Sequence, residues 1–522
     1  MAAHGRVAGP ALGAGALCAL SLPPWGWWPL AFVGTGWLWW RLEGLRLRDR
    51  LVAGWCFGLG TFVIGLWWVT SFSLAGGLLL MALEALAPAL ASAVAPRGRG
   101  RIPALAGAMV LGEALRSRWP LGGLPLGGLA LGQVGGPLAG AARLGGPLLL
   151  VGLLWLGGGA FGLLAVTAVR VARRRRAAGR EPAGWRQLLG GPPPADVRTL
   201  ATVPVAGAGR AAALALVVVG AAALGGAYAP DGGPALQRLA VAAVQGGGVR
   251  GLRQSQVAPA TVFAAQVAAT GLLPVGRRAA SLVLWPEDVV ALDQPLAGSP
   301  AAAVLSGLAR SERTTLVAGV TEPAGPGHFR NEIVAYGPDG ALDDVFEKVH
   351  RVPFGEYVPW RGLVRHLADL SAVPEDAVPG RGDGVLHTPV GPLGTMVSYE
   401  VFFPGRARVA TRAGAELLLV PTNTSSYSTS QVPSQEVAAA RLQALAQGRD
   451  LVQAAPTGFS ALVDHDGRLL ERSALGQRDV VSGTLALRRG RTVYERLGDL
   501  AVVLGAVALL GVGWLGDLTR GT

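Results

Sequence analysis

Apolar residues run in long blocks through the first 230 positions of the chain and again at its end, with short basic turns between the blocks. An α-helix needs about 20 mostly apolar residues to cross the hydrocarbon core of a bilayer. About eight segments reach or approach that length, near 8–24, 26–41, 51–71, 74–95, 102–117, 146–169, 211–229 and 497–516, the second and fifth being short. A cleaved signal peptide over 1–24 is disfavoured, because another span follows almost at once and no small-residue cleavage site stands out. The pattern predicts a polytopic α-helical membrane bundle of about eight spans. N-terminal transmembrane helices, about seven of them, occupy 1–230, and a C-terminal transmembrane helix occupies 495–522.

Between 231 and 494 the pattern shortens to apolar runs alternating with helical stretches, which predicts an α/β domain. Expected strands are LQRLAVAAVQ (236–245), SLVLWPE (281–287), TTLVAGV (314–320), NEIVAYGP (331–338), GTMVSYE (394–400), ELLLVPTN (416–423) and LVQAAPTG (451–458). Asp466-Gly467 marks a hairpin between FSALVD and RLLERS. The stretch 434–450 has helical spacing and ends near Gly448. About 250 residues suffice for one sizeable core.

Composition agrees with a membrane protein carrying a folded aqueous part: 51% apolar residues, only 15% charged, and a mean hydropathy of +0.42. The net charge of +13 comes from Arg residues crowded beside the apolar blocks, which favours membrane topology and anionic headgroups and argues against nucleic acid as a partner. The connections RLEGLRLRDR (41–50), RGRGR (97–101) and VRVARRRRAAGR (169–180) all fall on one side if the N-terminus is cytoplasmic, and Arg520 joins them there. By the positive-inside rule the α/β domain then lies outside the cytoplasm. Two cysteines, Cys18 and Cys56, both in apolar runs, indicate neither a disulfide framework nor a metal site. Trp25, Trp27, Trp28, Trp37, Trp39 and Trp40 are expected to anchor the second span at the interface. Glu84 and Glu113 stand in apolar stretches, where a helix end or a helix–helix hydrogen bond is the favoured reading over a functional carboxylate.

Three polar residues close or follow strands in the α/β region, where such folds collect their chemistry. Glu287 ends LVLWPE, Lys348 lies in VFEKVHRVPFGEYVP, and Ser398 stands at the tip of a sharp turn in GTMVSYEVFFPG. A carboxylate can take the nucleophile's proton. An ammonium can stabilise an oxyanion and hold that carboxylate ionised. A hydroxyl can attack a carbonyl and form an acyl-enzyme.

The stretches LWPE, EKVHRVPFGEYVP and VSYEVFFP resemble the three signatures of the nitrilase, or carbon–nitrogen hydrolase, superfamily. SLPPWGWWPLAF (21–32), GLGTFVIGLWWVTSF (58–72) and the Gly-rich 122–146 are similar to membrane segments of the apolipoprotein N-acyltransferase family, so the resemblance runs along the whole chain. It implies an αββα nitrilase-like α/β sandwich seated on the helical bundle. It also implies transfer of a fatty acyl chain from a phospholipid donor to the amine of a diacylglyceryl-cysteine lipoprotein acceptor, by a ping-pong route. No metal and no soluble cofactor are implied. By this resemblance Glu287 is the general base, Lys348 the oxyanion-stabilising lysine and Glu356 a supporting glutamate; Tyr399 and Glu400 follow the nucleophile, with substrate-binding roles shared by Tyr427. The implied setting is the bacterial cytoplasmic membrane, with the catalytic domain outside the cytoplasm and the chain acting as a monomer.

Two departures stand out. Ser398 occupies the position where the family has its cysteine, and TNTSSYSTS (422–430) keeps only Tyr427 where the family has an aspartate and an aromatic pair. A serine hydroxyl is not ionised in advance and forms an ordinary ester, so both half-reactions are expected to slow relative to a thiol. Cys18 and Cys56 are expected inside spans, remote from Glu287 and Lys348. A catalytically impaired paralogue that binds lipoproteins or lipids is therefore the alternative reading. A membrane-tethered nitrilase-type amidase is a third, disfavoured by the full set of family-like spans.

Overall fold

The computed structural model describes residues 2–98, 100–178, 205–248, 256–276, 279–366 and 369–518. Of the basic positions read above as topology signals, Arg99, Arg180 and Arg520 lie outside the described residues.

Every apolar block coincides with helix: Ala2–Ala19, Pro29–Arg41, Leu47–Leu66, the pair Leu74–Glu84 and Leu86–Val94, Arg101–Arg116, Ala142–Ala178, Val205–Tyr228 and Asp499–Leu518. Among the described residues, five helical segments are long and apolar enough to cross a membrane: Leu47–Ser71, Leu74–Val94, Ala139–Ala172, Gly209–Tyr228 and Asp499–Leu518. Pro29–Arg41 has 13 residues and Arg101–Arg116 has 16. At a rise of 1.5 Å per residue, both are shorter than a hydrocarbon core of about 30 Å. Small residues let the helices touch. A Cβ on Gly15 would meet the carbonyl oxygen of Phe57 at 2.0 Å, so Ala2–Ala19 and Leu47–Leu66 pack backbone to backbone. Arg116 ties the bundle inside: its Nε donates to Glu84 at 2.6 Å and its Nη1 to Glu113 at 2.8 Å. Both acids thus serve helix packing, as the plainer reading expects. Trp39 departs from the expected belt. It is 5% exposed, with the Arg101 guanidinium over its ring at 4.5 Å, whereas Trp25, Trp27 and Trp40 are exposed.

The α/β region forms two sheets. The strands are β1 (Gln237–Gln245), β2 (Leu282–Leu284), β3 (Val290–Ala291), β4 (Thr315–Pro323), β5 (His328–Tyr336), β6 (Leu342–Glu347), β7 (Asp376–Ala377), β8 (Val385–Thr388), β9 (Gly391–Thr395), β10 (Leu417–Pro421), β11 (Leu451–Ala454), β12 (Ala461–Val463), β13 (Leu469–Arg472) and β14 (Asp479–Leu487). One sheet runs β14-β1-β2-β4-β5-β6, with β3 and β7 beside it; the other runs β13-β12-β11-β10-β9-β8. Alternation along each strand sorts its side chains to two faces. Leu239, Val241 and Ala243 of β1 meet Leu417 and Leu419 of β10 in the core between the sheets. Ala242 and Val244 of β1 face the helices Pro259–Thr270 and Pro300–Glu312. Leu418 and Val420 of β10 face the opposite way, toward Pro404–Arg412 and Val432–Gln447. The result is helix, sheet, sheet, helix. The hairpin at Asp466-Gly467 forms as β12 and β13, paired Ala461 to Arg472, and the helix expected near 434–450 ends at Gly448 with φ +63°.

The second helical layer rests on the bundle. Gln431 Nε2 donates to the Ile64 carbonyl at 2.9 Å, and Tyr399 Oη donates to the Gly123 carbonyl at 2.9 Å. Arg143 is paired with Asp466 of the hairpin.

Candidate active site

The expected long strands stop early, short of the candidate residues. SLVLWPE is strand only through Leu284, and GTMVSYE only through Thr395, so Glu287 and Ser398 stand in the loops beyond the carboxyl ends of β2 and β9. Lys348 directly follows β6.

Glu287 is held in place by a close approach of backbones. A Cβ on Gly319 of β4 would lie 2.5 Å from the Glu287 Cα and 2.5 Å from the Pro286 carbonyl oxygen. Gly319→Ala is therefore expected to destabilise the protein by about 1–3 kcal/mol through overpacking. It should also lower the activity of the site by displacing Glu287. The control is Gly307→Ala in Pro300–Glu312, where nothing lies within 4 Å; that change should be neutral or stabilising by up to about 1 kcal/mol. Thermal unfolding of the two variants checks the contrast.

Glu287, Lys348 and Glu356 converge. Lys348 Nζ donates to Glu287 Oε1 at 2.8 Å and to Glu356 Oε1 at 2.7 Å. Asn331, at the middle of β5, donates through Nδ2 to the same two oxygens, 2.9 Å each. The second oxygen of Glu356 accepts from the Val352 backbone N–H at 2.7 Å. Lys348 is 1% exposed and Glu287 4%. Burial opposes the charge on Lys348, but the two glutamates outweigh it and hold the ammonium well above the ordinary lysine range. Glu287 goes the other way from the simple expectation. Burial pushes its carboxyl up, the Lys348 ammonium only partly offsets this, and Glu356 adds to the rise. The Lys348 ammonium, shared with Glu356, does not keep the buried Glu287 firmly ionised.

Ser398 opens a 3-10 turn, Ser398–Phe402, with φ +49°. A non-glycine residue in that region persists only when its surroundings fix it. Glu400 supplies the fixing. Its Oε2 accepts from the Val397 N–H at 2.9 Å, and its Oε1 from the N–H groups of Val349 and His350 at 3.0 and 2.9 Å. This buried carboxylate thereby ties the Lys348 segment to the Ser398 turn. Burial would raise Glu400, but His350, Arg406 and these backbone donors hold it below the usual carboxylate range. Tyr399 is buried, with its hydroxyl engaged by Gly123. Tyr427 is half-buried, its ring 4.8 Å from Trp68 and 5.2 Å from Phe72. Burial raises its phenol to about 12.

Three polar residues beyond those read from the sequence complete the cluster: Asn331, Thr422 and Glu436. Thr422 Oγ1 lies 3.1 Å from Ser398 Oγ and also bonds Glu436 Oε1. The signal for Glu436 was present, as the lone carboxylate in the mostly apolar helix VPSQEVAAARLQALAQ. Asn331 and Thr422 carried no signal distinguishable from ordinary strand residues. Cys18 and Cys56 are buried within helices of the bundle.

A sequence model of the apolipoprotein N-acyltransferase N-terminal domain matches residues 14–168, and one of carbon–nitrogen hydrolases matches residues 220–494. The apolipoprotein N-acyltransferase of Azotobacter vinelandii is 32% identical over 96% of this chain and 94% of its own. That of Mycolicibacterium smegmatis is 30% identical over 96% of this chain and 84% of its own. The solved structure of a carbon–nitrogen hydrolase from Helicobacter pylori G27 aligns at 19% identity and a TM-score of 0.38, covering 51% of this chain and 95% of that one. With more than half of its length matched by the hydrolase model and nearly all of it by relatives at 30% identity or more, the chain belongs to the apolipoprotein N-acyltransferase family of the carbon–nitrogen hydrolase superfamily.

Proposed function

We propose that the chain transfers a fatty acyl group from a phospholipid to the N-terminal amine of a diacylglyceryl-cysteine lipoprotein, through an ester on Ser398. The observation that carries this reading is the buried Glu287–Lys348–Glu356 cluster, held at 2.7–2.8 Å in a chain related along nearly its whole length to N-acyltransferases. Ser398 Oγ attacks the ester carbonyl of the donor, and Lys348 stabilises the oxyanion. Glu287, with its raised carboxyl, gives a proton to the departing alcohol and takes one from the attacking amine. Glu356 and Asn331 hold Lys348 and Glu287 in register. Tyr399 and Glu400 belong to the wall of the site and fix the Ser398 turn, while Tyr427, against Trp68 and Phe72, lines the side from which an apolar chain would reach it.

The arrangement is read as helices over 1–230, about seven of them spans, a catalytic domain over 231–494 and a last span over 495–522. The family and the five long apolar helices make this a membrane protein. The basic connections support a cytoplasmic N-terminus and an extracytoplasmic site in the bacterial cytoplasmic membrane. The monomer suffices, since every residue invoked comes from one chain.

The test is the mass of a diacylated model lipopeptide after incubation with the purified protein and phospholipid. A gain of one fatty acyl group is expected. Because Ser398 departs from the family, an impaired paralogue that binds lipid or lipoprotein is the competing reading. No gain with this chain, but a gain with Ser398→Cys, would establish it.

A further inference from the structure

Serine sets a requirement that a thiolate does not, because its proton must leave during attack. The surroundings of Ser398 contain a path for it. Thr422, fully buried after β10, has its Oγ1 3.1 Å from Ser398 Oγ and bonded to Glu436 Oε1. A threonine hydroxyl carries a single hydrogen. It can be donated to only one of these two oxygens, so the other contact must be donated to Thr422. When Glu436 is ionised, it accepts from Thr422, and Ser398 is left to donate its hydrogen to Thr422. The three groups then form a directed chain from the nucleophile to a carboxylate.

Glu436 is 2% exposed, and among the described residues its second oxygen has no hydrogen-bond partner. A carboxylate bonded on one side only and removed from water is costly as a structural ornament. Burial raises it to about 8, with the Thr422 hydrogen bond opposing; Glu287 adds to the rise and Lys348 opposes it. Tyr427 is the further titratable group that senses its charge. A base poised near neutral pH suits general base work.

We propose that Thr422 and Glu436 form a proton relay that serves Ser398, with Glu436 as a positioning residue acting through Thr422. The inference rests on Ser398 being the nucleophile. In acylation, Ser398 Oγ bonds to the ester carbonyl carbon. Its proton moves to Thr422 Oγ1, and the proton of Thr422 moves to Glu436. The donor's C–O bond breaks, and the departing lysophospholipid oxygen takes the proton carried by Glu287. In deacylation the lipoprotein amine bonds to the acyl carbon and gives a proton to Glu287. The Ser398 ester bond breaks, Ser398 regains its proton from Thr422, and Thr422 regains one from Glu436. Both carboxyls end as they began. The relay thus divides the work: Glu287 serves the lipid alcohol and the amine, and Glu436 serves the serine.

The test measures single-turnover acyl-enzyme formation from phosphatidylethanolamine vesicles by the full-length protein. Thr422→Val and Glu436→Gln are each made in the Ser398 and the Ser398→Cys backgrounds. In the serine background each change should slow acylation on the order of a hundredfold, the usual worth of a general base. The fall of the rate as the pH drops below about 8 should disappear in Glu436→Gln. In the cysteine background the same changes should cost less than about threefold, because the thiol ionises without the relay. Equal losses in both backgrounds would make the pair structural and overturn the relay. No loss in the serine background would overturn it as well, while leaving Ser398 as the nucleophile. A serine protein that forms no acyl-enzyme while Ser398→Cys does would overturn both the relay and the serine ester.

Discussion

Ser398→Ala is expected to abolish the phospholipid-derived acyl-enzyme and to reduce lipopeptide acylation at least a thousandfold. Ser398 stands at the tip of its turn, at φ +49°, and alanine fills that position without supplying a nucleophile. The backbone conformation is as costly for alanine as for serine, and Glu400 continues to hold it, so the fold should survive with an unchanged melting temperature. Intact-mass measurement of the protein after incubation with phospholipid gives the result directly. An acyl adduct that persists in Ser398→Ala would place the nucleophile elsewhere. Ser398→Cys is expected to speed the aminolysis step by about tenfold or more, because a thioester yields its acyl group to an amine more readily than an oxygen ester and sulfur leaves without needing a proton.

Lys348→Met carries the second large effect, on both activity and stability. The ammonium is the shared partner of Glu287 and Glu356, at 2.8 and 2.7 Å, and all three groups are shielded from water. Removing it leaves two carboxyls facing each other in a buried site. Breaking a buried ion pair from one side costs about 3–5 kcal/mol, and loss of an oxyanion donor costs about a hundredfold to a thousandfold in rate. The pH dependence has a definite sign. Without the ammonium, the Glu287 carboxyl, already raised by burial to about 7, rises further. The deficit is therefore largest at alkaline pH and shrinks as the pH falls to about 7 and below, where Glu287 binds a proton in both proteins. Thermal unfolding of Lys348→Met and the unsubstituted protein from pH 5 to 8 should show two melting curves that converge on acidification. A constant gap across that range would mean that the cluster is not coupled as its distances indicate.

Glu287, Lys348, Glu356 and Ser398 were legible because each stands in a stretch whose neighbours are unusual: LWPE, EKVHRVPFGEYVP and VSYEVFFP. Asn331 and Thr422 were legible only as strand residues. Their importance depends on what β5 and β10 lie beside, which is set by pairing across some tens of residues. The strand ends were overestimated for a related reason. Apolar character continues through Trp285 and Met396, and each still donates its backbone N–H to the neighbouring strand, Trp285 to Val317 and Met396 to Leu419, but the paired register ends at Leu284 and Thr395. Strands β8 and β14 and the helices Pro259–Thr270, Pro300–Glu312 and Pro404–Arg412 carry weak local patterns. They form because a sheet face or edge was waiting to be covered.

What the sequence determined by itself is therefore the kind of molecule and its chemistry. Long apolar blocks state where helices lie, short apolar runs state where strands begin, and three short motifs mark the candidate site residues. These follow from spacing and side-chain type, both of which are local. What only the tertiary structure decided is how the reactive groups share their charges and protons. One ammonium is divided between Glu287 and Glu356, Glu400 is spent on holding the Ser398 turn, and Thr422 links Ser398 to Glu436 across the end of a sheet. Electrostatic coupling and hydrogen-bond direction depend on distances between residues far apart in the chain and on the water excluded around them, and neither is written in the order of the residues.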